Sequence, residues 1–344
     1  MRRAGNPLER TVKAQHAIFT REEKEPCLTS AFPVICRVYC PDQTCCHPAK
    51  NTCNGKNFFD AGASSSYAKM GGKWATKWPI GAEGFVGNDT VRLGAIGSKQ
   101  LVIPTTAFGQ ATKFISSFTN AEIDGMLGLG LPLGAAGGIT PPVYRAMDLG
   151  LLDKSLFTVY MKAANGQRDV NGGSITYGAI DTVHCGPIIA YEPLTTKTHW
   201  EFEVKAVKPF NVQVEALKSG KYVLAATWKA RSDTSNPFIE IPAPEAAAIA
   251  DAHGAKWDDD YGHYVVDCSV KATLELTIGQ HKYTIGSENF VVSTPDGRCV
   301  LALKPLLTMS FGLVVTLGVP FHRQYCTIHD VGQLRIGFAD SWHD

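Results

Sequence analysis

The feature that most constrains this chain is its punctuation from about Lys56 onward. Short, β-rich apolar runs are closed at each end by Gly, Asn or Asp turn signals. GFVGNDTVRLG and KYTIGSENFVV follow that pattern, and SLFTVYMKAANGQRDVNGGSITYG reads as two strands around a long polar hairpin loop. Helical stretches are few and short. TPPVYRAMDLGLL opens with a Thr cap and prolines in its first turn, while PAPEAAAIADAHGA starts after Pro244 and stops at Gly254. The expected fold is mostly β, with sandwich- or barrel-like lobes.

Two segments echo each other. IDGMLGLG (123–130) and VVTLGVPF (314–321) each set a glycine in an apolar strand context, well downstream in their halves of the chain. Glycine also marks close backbone approach in buried strands generally, so the echo by itself only suggests two similar halves.

Composition removes several function classes. With 344 residues and 44% hydrophobic content, one large domain or two packed lobes can be filled. The formal net charge is +1 and no Lys/Arg cluster alternates with aromatics, so nucleic acid is not an expected partner. No run approaches the roughly 20 apolar residues of a membrane span.

The ten cysteines comprise six between Cys27 and Cys53 and then Cys185, Cys268, Cys299 and Cys326, with no C-x-x-C pair. That distribution favours an oxidising compartment. The start, MRRAGNPLER, is basic but has no apolar h-region after it, so no signal peptide is visible.

Several ordered segments between about Pro41 and Trp342 carry a resemblance. GFVGNDTVRLG resembles the strand after the flap of pepsin-type aspartic proteases, EIDGMLGLGLP their F-D-G-I-L-G-L segment, and GGSITYGAID their G-G-x-x-x-x-G-x-x-D hairpin. LGVPFHRQYCTIHDVGQLRIGFA resembles their C-terminal L-G-x-x-F-x-R-x-Y block, and YGAIDTVHCGPIIAYEPL is particularly similar to nematode members. The resemblance implies a bilobal pepsin-like β fold with a few short helices. Residues 1–40 stand apart as a divergent segment without a family match, 41–190 form a lobe carrying the flap, and 191–344 form a lobe carrying Asp233.

The same resemblance implies peptide-bond hydrolysis by two aspartates, one from an Asp-Thr-Gly loop in each lobe. Two carboxylates held close together share a proton, so that one activates water while the other protonates the carbonyl oxygen. In the second lobe, DTSNPFIEIP lies under the family's D-T-G-T-S-x-x-x-x-P, placing Asp233 and Thr234 at the catalytic Asp and its neighbour. Ser235 replaces the glycine, and Pro237 removes an N–H from the loop. In the first lobe, aligning YCPDQTC with W-V-P-D-x-x-C sets Phe32, Pro33 and Val34 where Asp-Thr-Gly belongs. KWPIGAEG resembles the flap with one residue deleted, which puts Trp78 near the flap tyrosine, and the resemblance implies that Trp78, Gly81, Thr234 and Ser235 line the substrate site.

The family template also pairs Cys268 with Cys299, Cys185 with Cys326, and Cys53 with Cys45 or Cys46, leaving Cys27, Cys36, Cys40 and one of the adjacent pair unassigned. CCHPAKNTC could be read as a zinc set, but its spacing is irregular and disulfides are the preferred reading. No metal or cofactor is expected. KWDDDYGHY reads as a solvated loop, and Asn88 in NDT is a glycosylation sequon, meaningful only in an exported chain.

A monomer with a peptide or protein in its cleft is expected, secreted or lysosomal by resemblance. Three readings stay open: an aspartic endopeptidase impaired as written, a non-catalytic binder of peptides or proteins, and a truncated gene product.

Overall fold

The computed structural model describes residues 11–13, 27–28, 59–76, 82–94, 99–114, 127–162, 172–204, 217–225, 227–294, 296–306 and 314–342. These residues are mostly strand. The α-helices among them, Pro142–Asp148, Ala243–Ala252, Ser287–Phe290 and Val319–Gln324, are all short. Three of the four carry proline in the first turn, where its missing N–H has no intrahelical partner to lose. None is long and apolar enough to cross a membrane. The chain divides into two compact units, Met1–Thr158 with Asn171–Ile180 and Lys197–His199, and Val159–Val170 with Asp181–Thr196 and Trp200–Asp344.

In the first unit, Ala68–Thr76, Ala82–Leu93 and Leu101–Phe114 form an antiparallel sheet in chain order. Side chains of a strand alternate between faces, and here Asp89, Val91 and Leu93 are buried while Arg92 is exposed. Trp74 is buried and donates its indole N–H to the Phe85 carbonyl at 3.0 Å. Gly109 lets the neighbouring strand lie on that ring, since a Cβ there would come within 2.5 Å of the indole.

The buried Asp89 carboxylate accepts from the Ser64 and Ser66 hydroxyls and the Thr90 N–H. Burial pushes this carboxyl up, but those donors and the charge of Arg92 outweigh it and hold it below the usual range. Elsewhere in the unit, Thr11–Lys13 pairs antiparallel with Gly173–Tyr177, and Cys27–Leu28 pairs parallel with Leu127–Gly128.

The second unit is built on a nine-stranded mixed sheet. Its order is Tyr222–Leu224, Leu217–Ser219, Leu274–Ile278, Glu201–Val204, Trp228–Ser232, Val314–Leu317, Ile239–Pro242 and Leu303–Leu306, with His281–Ile285 also paired to Leu274–Ile278. Trp200, Phe202, Ile239, Ile241, Leu274, Leu276 and Leu317 fill the core. Tyr283, Phe321, Tyr325 and Phe338 pack mostly edge-on or tilted, with ring centroids such as Tyr283–Phe338 at 5.3 Å.

Both disulfides among the described residues lie in this unit. Cys185–Cys326 links strands on either side of Arg335–Ser341, and Cys268–Cys299 closes a loop with a sequence separation of 31. Each limits the unfolded chain more than the folded one.

Candidate active site

The site grows out of an unusual strand arrangement. Val314–Leu317 lies between Trp228–Ser232, its parallel partner, and Ile239–Pro242, its antiparallel partner. The flanking strands are consecutive in sequence, so the connection from Asp233 to Phe238 must cross the C-terminal end of the strand between them. Gly318 stands at that crossing. A Cβ on it would meet the Phe238 carbonyl oxygen at 2.1 Å and that of Asn236 at 2.3 Å. The apolar-Gly pattern of VVTLG thus has a physical cause: only glycine lets the loop close down on the strand.

Backbone bonds fix the loop. The Asp233 N–H donates to the Leu317 carbonyl at 3.1 Å, the Asn236 N–H to the Asp233 carbonyl at 3.2 Å, and the Val319 N–H to the Asn236 carbonyl at 2.8 Å. Asn236 Oδ1 accepts from the Phe238 N–H at 3.0 Å, bridging Pro237, whose side chain is exposed and whose missing N–H leaves no gap in this turn.

Within the loop, Asp233 is half-buried and Thr234 is fully buried. Asp233 Oδ1 accepts two bonds from Ser235, one from its N–H at 3.0 Å and one from its hydroxyl at 2.5 Å. The backbone at Ser235 is not in the left-handed region, so no positive φ demands glycine there. The serine is therefore accommodated, and its hydroxyl turns onto the aspartate.

A layer of buried histidines lies behind the loop. His322 and His329 are both fully buried, and Ser232, the residue before Asp233, has its hydroxyl 3.3 Å from His322 Nε2 and 3.5 Å from His329 Nε2. His322 Nε2 is also 3.0 Å from the Leu317 carbonyl. A carbonyl can only accept, so Nε2 carries the proton and Nδ1 is free to accept from the Thr327 hydroxyl at 3.4 Å. His329 sits edge-on against Trp200 with ring centroids 4.6 Å apart.

Burial pushes the His322 imidazolium down to about 4, partly opposed by the Leu317 carbonyl. Burial and then the neighbouring charge of His322 hold His329 well below the usual histidine range. Both rings are neutral at pH 7.

Of the residues singled out from sequence, Asp233, Thr234 and Ser235 are together on this loop. Cys185, Cys326, Cys268 and Cys299 are in the two disulfides described above. Phe32, Trp78, Gly81, Cys45 and Cys53 lie outside the described residues. Trp78 and Gly81 fall in sequence between Thr76 and Ala82, which pair at the end of their hairpin. No group of three or more His, Cys, Asp or Glu side chains among the described residues is arranged to hold a metal.

Sequence reading passed over Ser232, His322 and His329. The signal was two histidines in FHRQYCTIHD, a stretch whose strand and helix positions otherwise pack into the core.

Comparison with known proteins places this loop in a family context. The family model described as eukaryotic aspartyl protease matches residues 36–341. The chain belongs to the eukaryotic aspartyl protease family. It is 39% identical over 332 residues to Aspartic protease 2 of Necator americanus, covering 94% of this chain and 76% of that protein. It is 39% identical over 306 residues to Aspartic protease 6 of Caenorhabditis elegans, covering 88% of this chain and 75% of that protein. More distantly, it is 30% identical over 292 residues to a probable vacuolar protease A of Trichophyton verrucosum, with 82% and 67% covered. For an aspartyl protease, peptides are the substrate class that the family implies.

Proposed function

We propose that this aspartyl protease homologue retains peptide recognition but is impaired in peptide-bond hydrolysis. The observation that carries the reading is the pair of hydrogen bonds that the Ser235 N–H and hydroxyl donate to one oxygen of Asp233. A carboxylate oxygen already occupied by a neighbouring hydroxyl has one fewer lone-pair direction to offer water or a substrate carbonyl. The sequence alignment adds a second support, since it sets no acidic residue at the first-lobe aspartate position and a lone carboxylate cannot divide acid and base roles. Recognition by contrast needs an apolar groove and backbone donors, and no proton transfer. The disulfides suit secretion or a lysosomal compartment.

Calorimetric titration with a non-hydrolysable, transition-state-mimicking peptide tests the recognition half. Saturable binding that Asp233→Asn weakens without abolishing is expected. A folded protein showing no heat of binding with this peptide or with its unmodified counterpart would refute retained recognition.

A further inference from the structure

The two units repeat one strand pairing, and its register identifies the first-unit counterpart of Asp233. In the second unit, Trp228–Ser232 runs parallel to Val314–Leu317, with Ser232 opposite Leu317. Asp233 follows and reaches back to the Leu317 carbonyl, and Gly318 follows Leu317. In the first unit, Cys27–Leu28 runs parallel to Leu127–Gly128, with Cys27 opposite Leu127 and Leu28 opposite Gly128. Leu127-Gly128 belongs to the segment that echoes Leu317-Gly318 in sequence. Aligning the two Leu-Gly pairs sets Cys27 on Ser232 and Leu28 on Asp233.

The sequence repeats the match independently. Cys-Leu-Thr-Ser at 27–30 stands against Ser-Asp-Thr-Ser at 232–235, so the residues after the central position are Thr-Ser in both copies. The register decides which residue stands at each position, because a shift by one residue exchanges the faces of the strand. Coincidence of the register with the Thr-Ser repeat is thus two observations, one of topology and one of sequence.

We infer that Leu28 occupies the position of the first-unit catalytic aspartate, with Thr29-Ser30 as the remnant of its loop sequence. This differs from the alignment through YCPDQTC, which put Phe32 there, four residues later. It deepens the proposed impairment, and rests on that reading for its consequence: the aspartate is replaced by a side chain that can neither accept nor donate a proton. Ser30 and Ser235 then replace the motif glycine in both copies.

Two measurements test the inference. In the unaltered, deuterated protein, backbone NOEs should connect 27–28 with 127–128; NOEs from 31–32 to 127–128 instead, or none from 27–28, would overturn it. In parallel, Leu28→Asp, Phe32→Asp and Leu28→Asn are assayed for cleavage of denatured globin between pH 3 and 7. Returning a carboxylate to position 28 should bring cleavage about a hundredfold above the assay background in Leu28→Asp alone. A gain confined to Phe32→Asp would overturn the assignment. If Leu28→Asp does not fold or gains nothing, the NOE pattern decides. Cleavage by the unaltered protein that Asp233→Asn abolishes would count against the proposed impairment, while the NOEs would still report separately on the register.

Discussion

Asp233 and His322 share one acceptor. The Leu317 carbonyl takes the Asp233 backbone N–H at 3.1 Å and the His322 Nε2–H at 3.0 Å. The loop that carries the aspartate is thereby tied to a buried imidazole on Val319–Gln324, the helix that follows Val314–Leu317. Protonating that ring would put an uncompensated charge in the core directly behind the loop, so the loop's integrity is linked to pH.

The sign of that linkage follows from the direction of the shift. A histidine with an ordinary value of 6.5 when unfolded and about 4 when folded binds fewer protons in the native state between those limits. Its contribution is fully present above about pH 6.5 and is lost as pH falls toward 4. For His322 this amounts to about 3 kcal/mol across the window, with His329 acting in the same direction. Urea unfolding at half-unit pH steps should show stability declining through this range, and His322→Leu should flatten the decline. An unchanged slope in that variant would contradict the assignment to His322.

Gly318 should be intolerant of any side chain. Gly318→Ala forces a methyl group to within 2.1 Å of the Phe238 carbonyl and 2.3 Å of the Asn236 carbonyl, both backbone atoms of the Asp233 loop. A loss of roughly 3 kcal/mol or more is expected, at or beyond the upper end of typical overpacking costs because backbone has to move. Denaturant titration measures it. A loss below about 1 kcal/mol would mean the loop yields easily.

The Ser235 hydroxyl should contribute measurably to loop stability. Ser235→Ala removes a bond to a carboxylate in a half-buried setting and is expected to cost about 1 kcal/mol. Ser235→Gly should cost somewhat more, because glycine also loosens the unfolded chain. Asp233→Asn with Ser235→Ala completes a double-mutant cycle, and a coupling energy near zero would show that the hydroxyl does not act through Asp233.

Removing the Cys268–Cys299 bridge by paired serine substitution should lower stability by about 2–4 kcal/mol. The linked strand end near Arg298, which also pairs with Asp296 and Asp258, should show the largest rise in hydrogen exchange.

The family was legible in the sequence because its signals are local and ordered. The Gly-punctuated strand pattern, LGVPFHRQY and GGSITYG each report on neighbours in the chain, and the mostly β fold follows from them. That Asp233 and Thr234 share one loop was legible because the segment aligns without a gap. What the sequence did not reveal depends on partners far apart in the chain. Ser232 and His322 are 90 residues apart, and nothing in either local pattern signals that their side chains meet. The need for glycine at 318 was visible as a pattern, but its cause, the carbonyls of Asn236 and Phe238, required the strand order. Likewise, Leu28 looked featureless until its register against Gly128 could be set beside that of Ser232 against Leu317.

The most direct test of impaired hydrolysis is turnover itself. Purified, monodisperse protein, shown to be folded by a cooperative melt, would be incubated with denatured globin from pH 3 to 7, with and without a transition-state-mimicking inhibitor of aspartic proteases. The expected result is no inhibitor-sensitive cleavage at any pH. Inhibitor-sensitive cleavage that disappears in Asp233→Asn would contradict it and would require an acidic partner for Asp233 elsewhere in the chain.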